Sequence, residues 1–254
     1  FTPVDGVMDA TSGAAGQNVN LNDVFSIVRQ DMSINSLRFG PAADNNGSGG
    51  SINDGTTLTS YNGSYFPTLI VDGKLSITSG MISSAFFTAG NSTNGANSQV
   101  ADTFIQGGTL DFGNREAIIN NQNGFVRFTD GIVVGGNLQI RSNIAGTGGL
   151  LKTGFSQVVL DGMNTYSGLT TVSDGSLLVR NGRMSGGAGG PGNGYKIEGN
   201  GQLLTSSGII LGTAAAPEDI FVGVLQGSQT VLQAQNDLTS YYGDITVDNV
   251  DVAG

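Results

Sequence analysis

The sequence predicts an all-β chain wound as a right-handed parallel β-helix, a single domain with a Gly-rich projecting loop. Three observations lead there. Short runs of Val, Ile, Leu, Phe and Thr follow one another, each closed by Gly, Asn or Asp, and leave no room for helices between them. Apolar pairs recur at offsets of about 20 residues, a length expected of one solenoid coil. The composition, with 42 Gly, 38% hydrophobic and 12% charged residues among 254, supplies a core while leaving helix formers scarce. Consecutive strands without crossover helices leave a sandwich, a meander barrel or a β-helix, and the recurrence favours the last.

Residues 1 to 32 read as an N-terminal cap segment. The first twenty are turn-rich, and in LNDVFSIVRQDM the residues Leu21, Val24 and Val28 sit at helical spacing behind Asn22-Asp23. A strand through Phe25 and Ile27 is the alternative there, and either would cover the open first rung of a solenoid. From 33 to 254 the strand pattern is monotonous. Leu110-Phe112 recurs as Ile132-Val134, Leu138-Ile140 as Val158-Leu160, and Val158-Leu160 as Leu177-Val179. At one strand spacing per coil this predicts roughly ten coils and a rod on the order of 50 Å long. A Gly-rich stretch near 185–194 reads as a loop by composition, after which strand-like runs resume.

The stretch 149–179, GLLKTGFSQVVLDGMNTYSGLTTVSDGSLLV, alternates most cleanly. Leu150, Val158, Leu160, Thr170 and Val172 share one parity, and Leu177 and Val179 the other, so the phase slips at a turn placed at Asp174-Gly175. Within it Leu150, Lys152, Gly154, Leu160, Gly162, Asn164, Tyr166, Gly168, Thr170, Val172, Gly175, Leu177 and Val179 fall, without an insertion, on the pattern of the autotransporter-associated β-strand repeat, also called the passenger-associated transport repeat. Ser156 and Val158 depart from that pattern by small or β-branched changes. The resemblance covers about an eighth of the chain, one repeat unit. It implies a parallel β-helix in an exported, surface-associated bacterial protein, and no activity.

A formal charge of −10 and a pI near 4.1 argue against nucleic acid, whose phosphates are bound through Lys and Arg, and against an anionic membrane surface. Cysteine is absent, so neither disulfides nor thiol chemistry is available. No apolar run approaches the roughly 20 residues of a membrane helix, so no membrane insertion is expected of this segment.

Gly187 to Gly192 matches G-x-G-x-x-G, but the motif needs a following helix to face the pyrophosphate, and a strand pattern follows instead. Asp-Gly pairs at Asp54, Asp72, Asp130, Asp161 and Asp174 read as turns with positive φ rather than stacked calcium sites. A β-helical polysaccharide lyase or hydrolase would need paired carboxylates, whereas this chain has no His and only three Glu; Arg115-Glu116 reads as a surface pair. Tyr61, Tyr65, Phe66, Phe86, Phe87, Tyr241 and Tyr242 are candidate stacking platforms for glycans, with Tyr241 and Tyr242 foremost. Asn164 and Tyr166 read as structural, the amide serving backbone groups at a corner. No cofactor and no metal is expected. The expected function is a non-enzymatic extracellular or cell-surface shaft, as in an adhesin, matrix or filament-forming protein, with a homo-oligomer or an end-to-end filament as the expected assembly and surface glycans as a further candidate partner. A glycan-binding adhesin is the alternative.

Overall fold

The computed structural model describes residues 2–8, 14–40, 67–85, 87–90, 102–127, 133–180, 194–206, 209–211, 217–224, 230–234 and 240–249. Among these the regular structure is all β, and every strand pairing is parallel except one. The chain winds as a parallel β-helix whose turns visit three faces in order.

The first face is a ladder of ten strand segments. It runs through Thr2–Met8, Asn18–Val28, Ser36–Phe39, Met81–Ser84, Ala117–Asn121, Leu150–Thr153, Leu169–Val179, Gly194–Thr205, Asp219–Val224 and Ile245–Asn249. The second face stacks the later halves of the long strands with Thr68–Val71, Thr103–Gln106, Leu138–Ile140, Val158–Leu160 and Val231–Ala234. The third stacks Met32–Ile34, Lys74–Ile77, Thr109–Asp111 and Asn143–Ala145. At about 4.8 Å per step, nine steps make a column about 43 Å long. The strand alternative is the one formed within 21–28, so both Thr2–Met8 and Asn18–Val28 are ladder strands.

Alternation places one apolar stripe of each face in the interior. Leu37, Ile82, Ile119, Leu150, Val172 and Ile197 line the first face, and Leu69, Ile105, Leu138, Val158, Leu177 and Leu203 the second. These belong to a single buried cluster, as a solenoid interior requires, each coil covering the one before.

Coil length varies along the column. Leu138 pairs with Val158, twenty residues on, and Val158 with Leu177, nineteen on. Earlier coils are longer: Thr103 pairs with Leu138, 35 on, and Leu110 pairs with Leu75 and Ile144. The expected stacking of Leu110-Phe112 on Ile132-Val134 is therefore not formed. Ile132 lies outside the described residues, and Val134 pairs antiparallel with Phe125. The extra length is spent at the corner between the first and second faces. There Phe87–Gly90, Gly124–Arg127 and Val133–Gly135 leave the coil as a separate three-stranded sheet, the last strand returning antiparallel. In the coil of Leu150–Thr153 four residues, 154–157, close the same corner.

The Gly-rich loop near 185–194 lies outside the described residues up to Gly194, as do Asp54, Asp130, Tyr61, Tyr65, Phe66 and Phe86.

Candidate functional site

The repeat unit 149–179 is where the geometry is most specific. Leu150, Leu160, Thr170, Val172, Leu177 and Val179 all point inward with essentially no exposure. The phase slip at Asp174-Gly175 is a corner taken without leaving the ladder: Leu169–Val179 is one strand, with a register shift between Val172 and Asp174. A shift of this kind re-aims the following side chains, which restores Leu177 and Val179 to the interior.

Gly154 and Gly175 occupy the same corner on successive coils. Both have positive φ, 80° and 63°. A Cβ at Gly154 would stand 2.4 Å from the Asn121 carbonyl oxygen, and one at Gly175 2.5 Å from that of Gly154. Glycine is required twice over, for the backbone conformation and for the close approach of the next coil. The Asp-Gly turns differ from expectation in one respect. Of Gly73, Gly162 and Gly175, only Gly175 has positive φ. Gly162 is set by space, since a Cβ there would stand 2.1 Å from the Ser142 carbonyl oxygen, whereas at Gly73 the close atom is the Asp31 carboxylate at 2.6 Å, with backbone no nearer than 3.3 Å.

Lys152 shares the parity of Leu150 and is fully buried. Its Nζ donates to the carbonyl oxygens of Gly154 at 2.6 Å, Asp174 at 2.7 Å and Thr153 at 3.0 Å. Asp174 belongs to the next coil, so one side chain ties two coils at their shared corner. Burial pushes the ammonium pKa down from 10.5 to about 7, against the opposing pull of Asp174.

The same corner carries a buried polar collar in the longer coils. Ser84 Oγ donates to Asn123 Oδ1 at 2.8 Å, and Asn123 Nδ2 donates to Thr103 Oγ1 at 3.1 Å. Asn121 Nδ2 donates to the carbonyls of Gly136 and Gln157 at 2.9 and 2.7 Å. These groups sit where the chain leaves for the lateral sheet and returns, so each root is bonded to the other and to the coil below. Ser156, one of the two departures from the repeat pattern, is buried and donates to the Asn123 carbonyl, which links the tight corner to the collar.

On the third face Asn164 Oδ1 accepts from the Ile144 backbone N–H at 3.1 Å, while Thr165 N donates to the Ile144 carbonyl at 2.8 Å. The side chain takes the ladder position of a backbone carbonyl. Tyr166 is buried beside it, its hydroxyl 2.8 Å from Thr170 Oγ1, and burial raises its pKa. Gly168, φ 93°, lets the chain pass Gly149, whose N would be 2.8 Å from a Cβ there.

A second buried constellation lies where the sequence carries no alternation to orient it. Glu218 is 2% exposed and accepts from the Tyr195 hydroxyl. Its backbone N–H donates to the Tyr242 carbonyl at 2.8 Å, and its own carbonyl accepts from the Tyr241 hydroxyl at 2.7 Å. Tyr241 is thus packed against the core with its hydroxyl between the carbonyls of Glu218 and Asp244, and its pKa is raised, first by burial. Tyr242 is exposed. Arg115 and Glu116 are both exposed. Among the described residues no three His, Cys, Asp or Glu side chains gather as a metal site, and no helix is long and apolar enough to cross a membrane.

Comparison with known proteins adds a local likeness. The chain is 54% identical over 39 residues to the neisserial autotransporter lipoprotein NalP of Neisseria meningitidis serogroup B, in strain MC58 and equally in strain H44/76. The match covers 15% of this chain and 4% of the length of that relative. No family model matches the chain, and no solved structure matches it. The likeness to the autotransporter-associated repeat rests on the residues at 150–179.

Proposed function

We propose that this chain is a non-enzymatic structural module of an exported, cell-surface or extracellular bacterial protein, a rigid shaft that holds other parts at a distance. One observation carries the reading: the chemically distinctive buried side chains are used to join one coil to the next. Lys152 ties its own corner to Asp174, Asn164 completes the ladder at Ile144, and Glu218 joins Tyr195 to the Tyr241-Tyr242 corner. Stiffness follows from parallel hydrogen bonds running along the column and one continuous apolar interior. The short likeness to an autotransporter supports an exported setting.

The test is a panel of neutral and acidic polysaccharides assayed for product release, run beside limited proteolysis. The shaft reading expects no turnover and protease-resistant fragments spanning the tightly closed coils of 138–180. Turnover on any substrate would replace it with an enzyme. A glycan-binding reading has one feature in its favour, the exposed ring of Tyr242. A glycan array in which binding disappears with Tyr242→Ala would establish it.

A further inference from the structure

Consecutive coils present a polar side chain at the same outward position where the second face begins. Asn137, Gln157 and Ser176 each precede an interior residue, and those residues, Leu138, Val158 and Leu177, stack in turn. Gln202 then pairs with Ser176 on the next coil. All four are half-buried, and Gln157 Nε2 donates to Ser176 Oγ at 3.1 Å along the column. At one strand spacing of about 4.8 Å per coil, three steps make a ladder about 14 Å long. The adjacent outward row of this face is closed to solvent, with Val159, Leu178 and Leu204 at 0%, 6% and 6% exposure. The accessible strip therefore lies between that row and the corner. Phe155 stands on the corner and is 41% exposed. Its neighbours Gly154 and Ser156 are buried, so alternation sends the ring outward on the side of Gln157. On the next two coils the corner continues as Gly175 and Gly201, which pair with each other. A Cβ at Gly175 would stand 2.7 Å from the carbonyl carbon and oxygen of Phe155, so no side chain rises there. The close approach that stacking demands thus leaves a bare shelf beside an exposed ring, edged by Asp174 and its partner Asn200.

We propose that this strip binds an extended, neutral glycan, with one sugar ring stacked on Phe155 and the chain laid along the polar ladder. The inference rests on the glycan-binding reading and gives it a different site; the shaft supplies the rigid frame. An aromatic ring offers a flat apolar surface to the C–H face of a pyranose. Asn and Gln amides both donate and accept, as sugar hydroxyls do. A ligand site of this kind joins an apolar platform to a few placed polar groups. The ladder is straight because its coils stack in parallel register. It therefore matches a ribbon-like chain, which β-1,4 linkage gives, with a sugar ring close in length to one coil step. Charge selects against acidic polymers. Asp102 caps the ladder, accepting from the Asn137 backbone N–H at 2.9 Å, Asp174 edges the shelf, and the chain carries a net charge of −10. Arg141 and Arg180 lie across the closed row, where both face Asp161.

The experiment is isothermal titration calorimetry of the full chain with β-1,4-linked gluco-, manno- and xylo-oligosaccharides from dimer to hexamer, with oligogalacturonate as the acidic probe. Affinity for a neutral series should rise with length and level off near about four units, the span of the ladder. Phe155→Ala should weaken binding by about tenfold or more through loss of stacking. Phe155→Leu keeps apolar bulk without the flat face and should lose binding as well, while Gln157→Ala should cost less than either. Met163→Ala removes a side chain 63% exposed on the third face and should bind as the wild type does. Thermal unfolding of each variant, expected to match the wild type because these side chains are at the surface, shows that a loss belongs to the site. Absence of binding to every neutral series would overturn this site and the glycan-binding reading together, leaving the shaft in place. Binding retained in folded Phe155→Ala or Phe155→Leu but lost in Tyr242→Ala would overturn this site alone. Tighter binding of oligogalacturonate, or an affinity that does not change with length, would overturn it too.

Discussion

Replacing Lys152 by Met keeps the length and bulk of the side chain while removing its charge and its donors, so it isolates the corner tie. Two effects oppose each other. Without the donors, the carbonyls of Gly154 and Asp174 lose their short bonds, at about 1–3 kcal/mol for each acceptor left unsatisfied. Against this, the wild type bears the cost of a buried ammonium, whose pKa falls from 10.5 to about 7. At 1.36 kcal/mol per unit, that shift is worth up to about 5 kcal/mol. The sign follows from linkage. Between pH 7 and 10.5 the unfolded chain holds the proton that the folded chain has released, so wild-type stability rises with pH across that window and is flat below it. Lys152→Met has no such slope at this position. The two proteins should therefore lie close together near pH 7, and the variant should fall behind by about 2–6 kcal/mol as pH approaches 10. Urea unfolding at a series of pH values, followed by tyrosine fluorescence in a chain with no Trp, measures the difference. A gap that is independent of pH, or that narrows as pH rises, would show that the three carbonyls hold the ammonium at its ordinary pKa and would refute the reasoning.

Asn164→Ala should cost about 1–3 kcal/mol, since it strands the Ile144 N–H; unchanged thermal unfolding would mean that the amide is dispensable to the third face. Gly154→Ala should cost more than about 3 kcal/mol, combining positive φ with a Cβ 2.4 Å from the Asn121 oxygen. Gly16→Ala is the internal control, because Gly16 has φ 71° but nothing within 4 Å of a Cβ, and its cost should stay near the about 1–2 kcal/mol of left-handed backbone alone. Equal melting temperatures for the two glycine variants would contradict the role given to stacking at the corner. Tyr195→Phe should lower stability by about 1–3 kcal/mol through loss of the bond to Glu218, with hydrogen exchange rising first at the amides of 218–224 and 245–249.

How much of this was readable beforehand follows from what a period of two encodes. Alternation says which residues of a run share a face, and it placed Leu150, Val158, Leu160, Thr170, Val172, Leu177 and Val179 in the interior, where they are buried. It carries no record of which coil a run stacks on. Where corners are short, as at 154–157, the next interior run comes about twenty residues later and recurrence finds it, as for Val158 on Leu138. Where the corner opens into Phe87–Gly90 or the Gly124–Arg127 and Val133–Gly135 hairpin, the added strands are built from the same residue types as the coil. Leu110 then finds its true partner Ile144 at an offset of 34 while Ile132-Val134 offers a false one nearer by.

The polar residues were opaque for a different reason. Lys152 shares the parity of Leu150, which already implied an inward ammonium, but its three acceptors come from corner geometry that includes the following coil. Glu218 follows Pro217 in a stretch with no alternation to orient it, and its burial depends on Tyr195, 23 residues earlier, and on the Tyr241-Tyr242 corner after it. In a solenoid the local pattern determines what each coil contributes, whereas the contacts that hold polar groups inside are made between coils. Buried charge in such a fold is therefore best sought at corners, where adjacent turns leave carbonyls facing inward, and Lys152 stands at one of them because Gly154 and Gly175 bring their backbones close enough to share it.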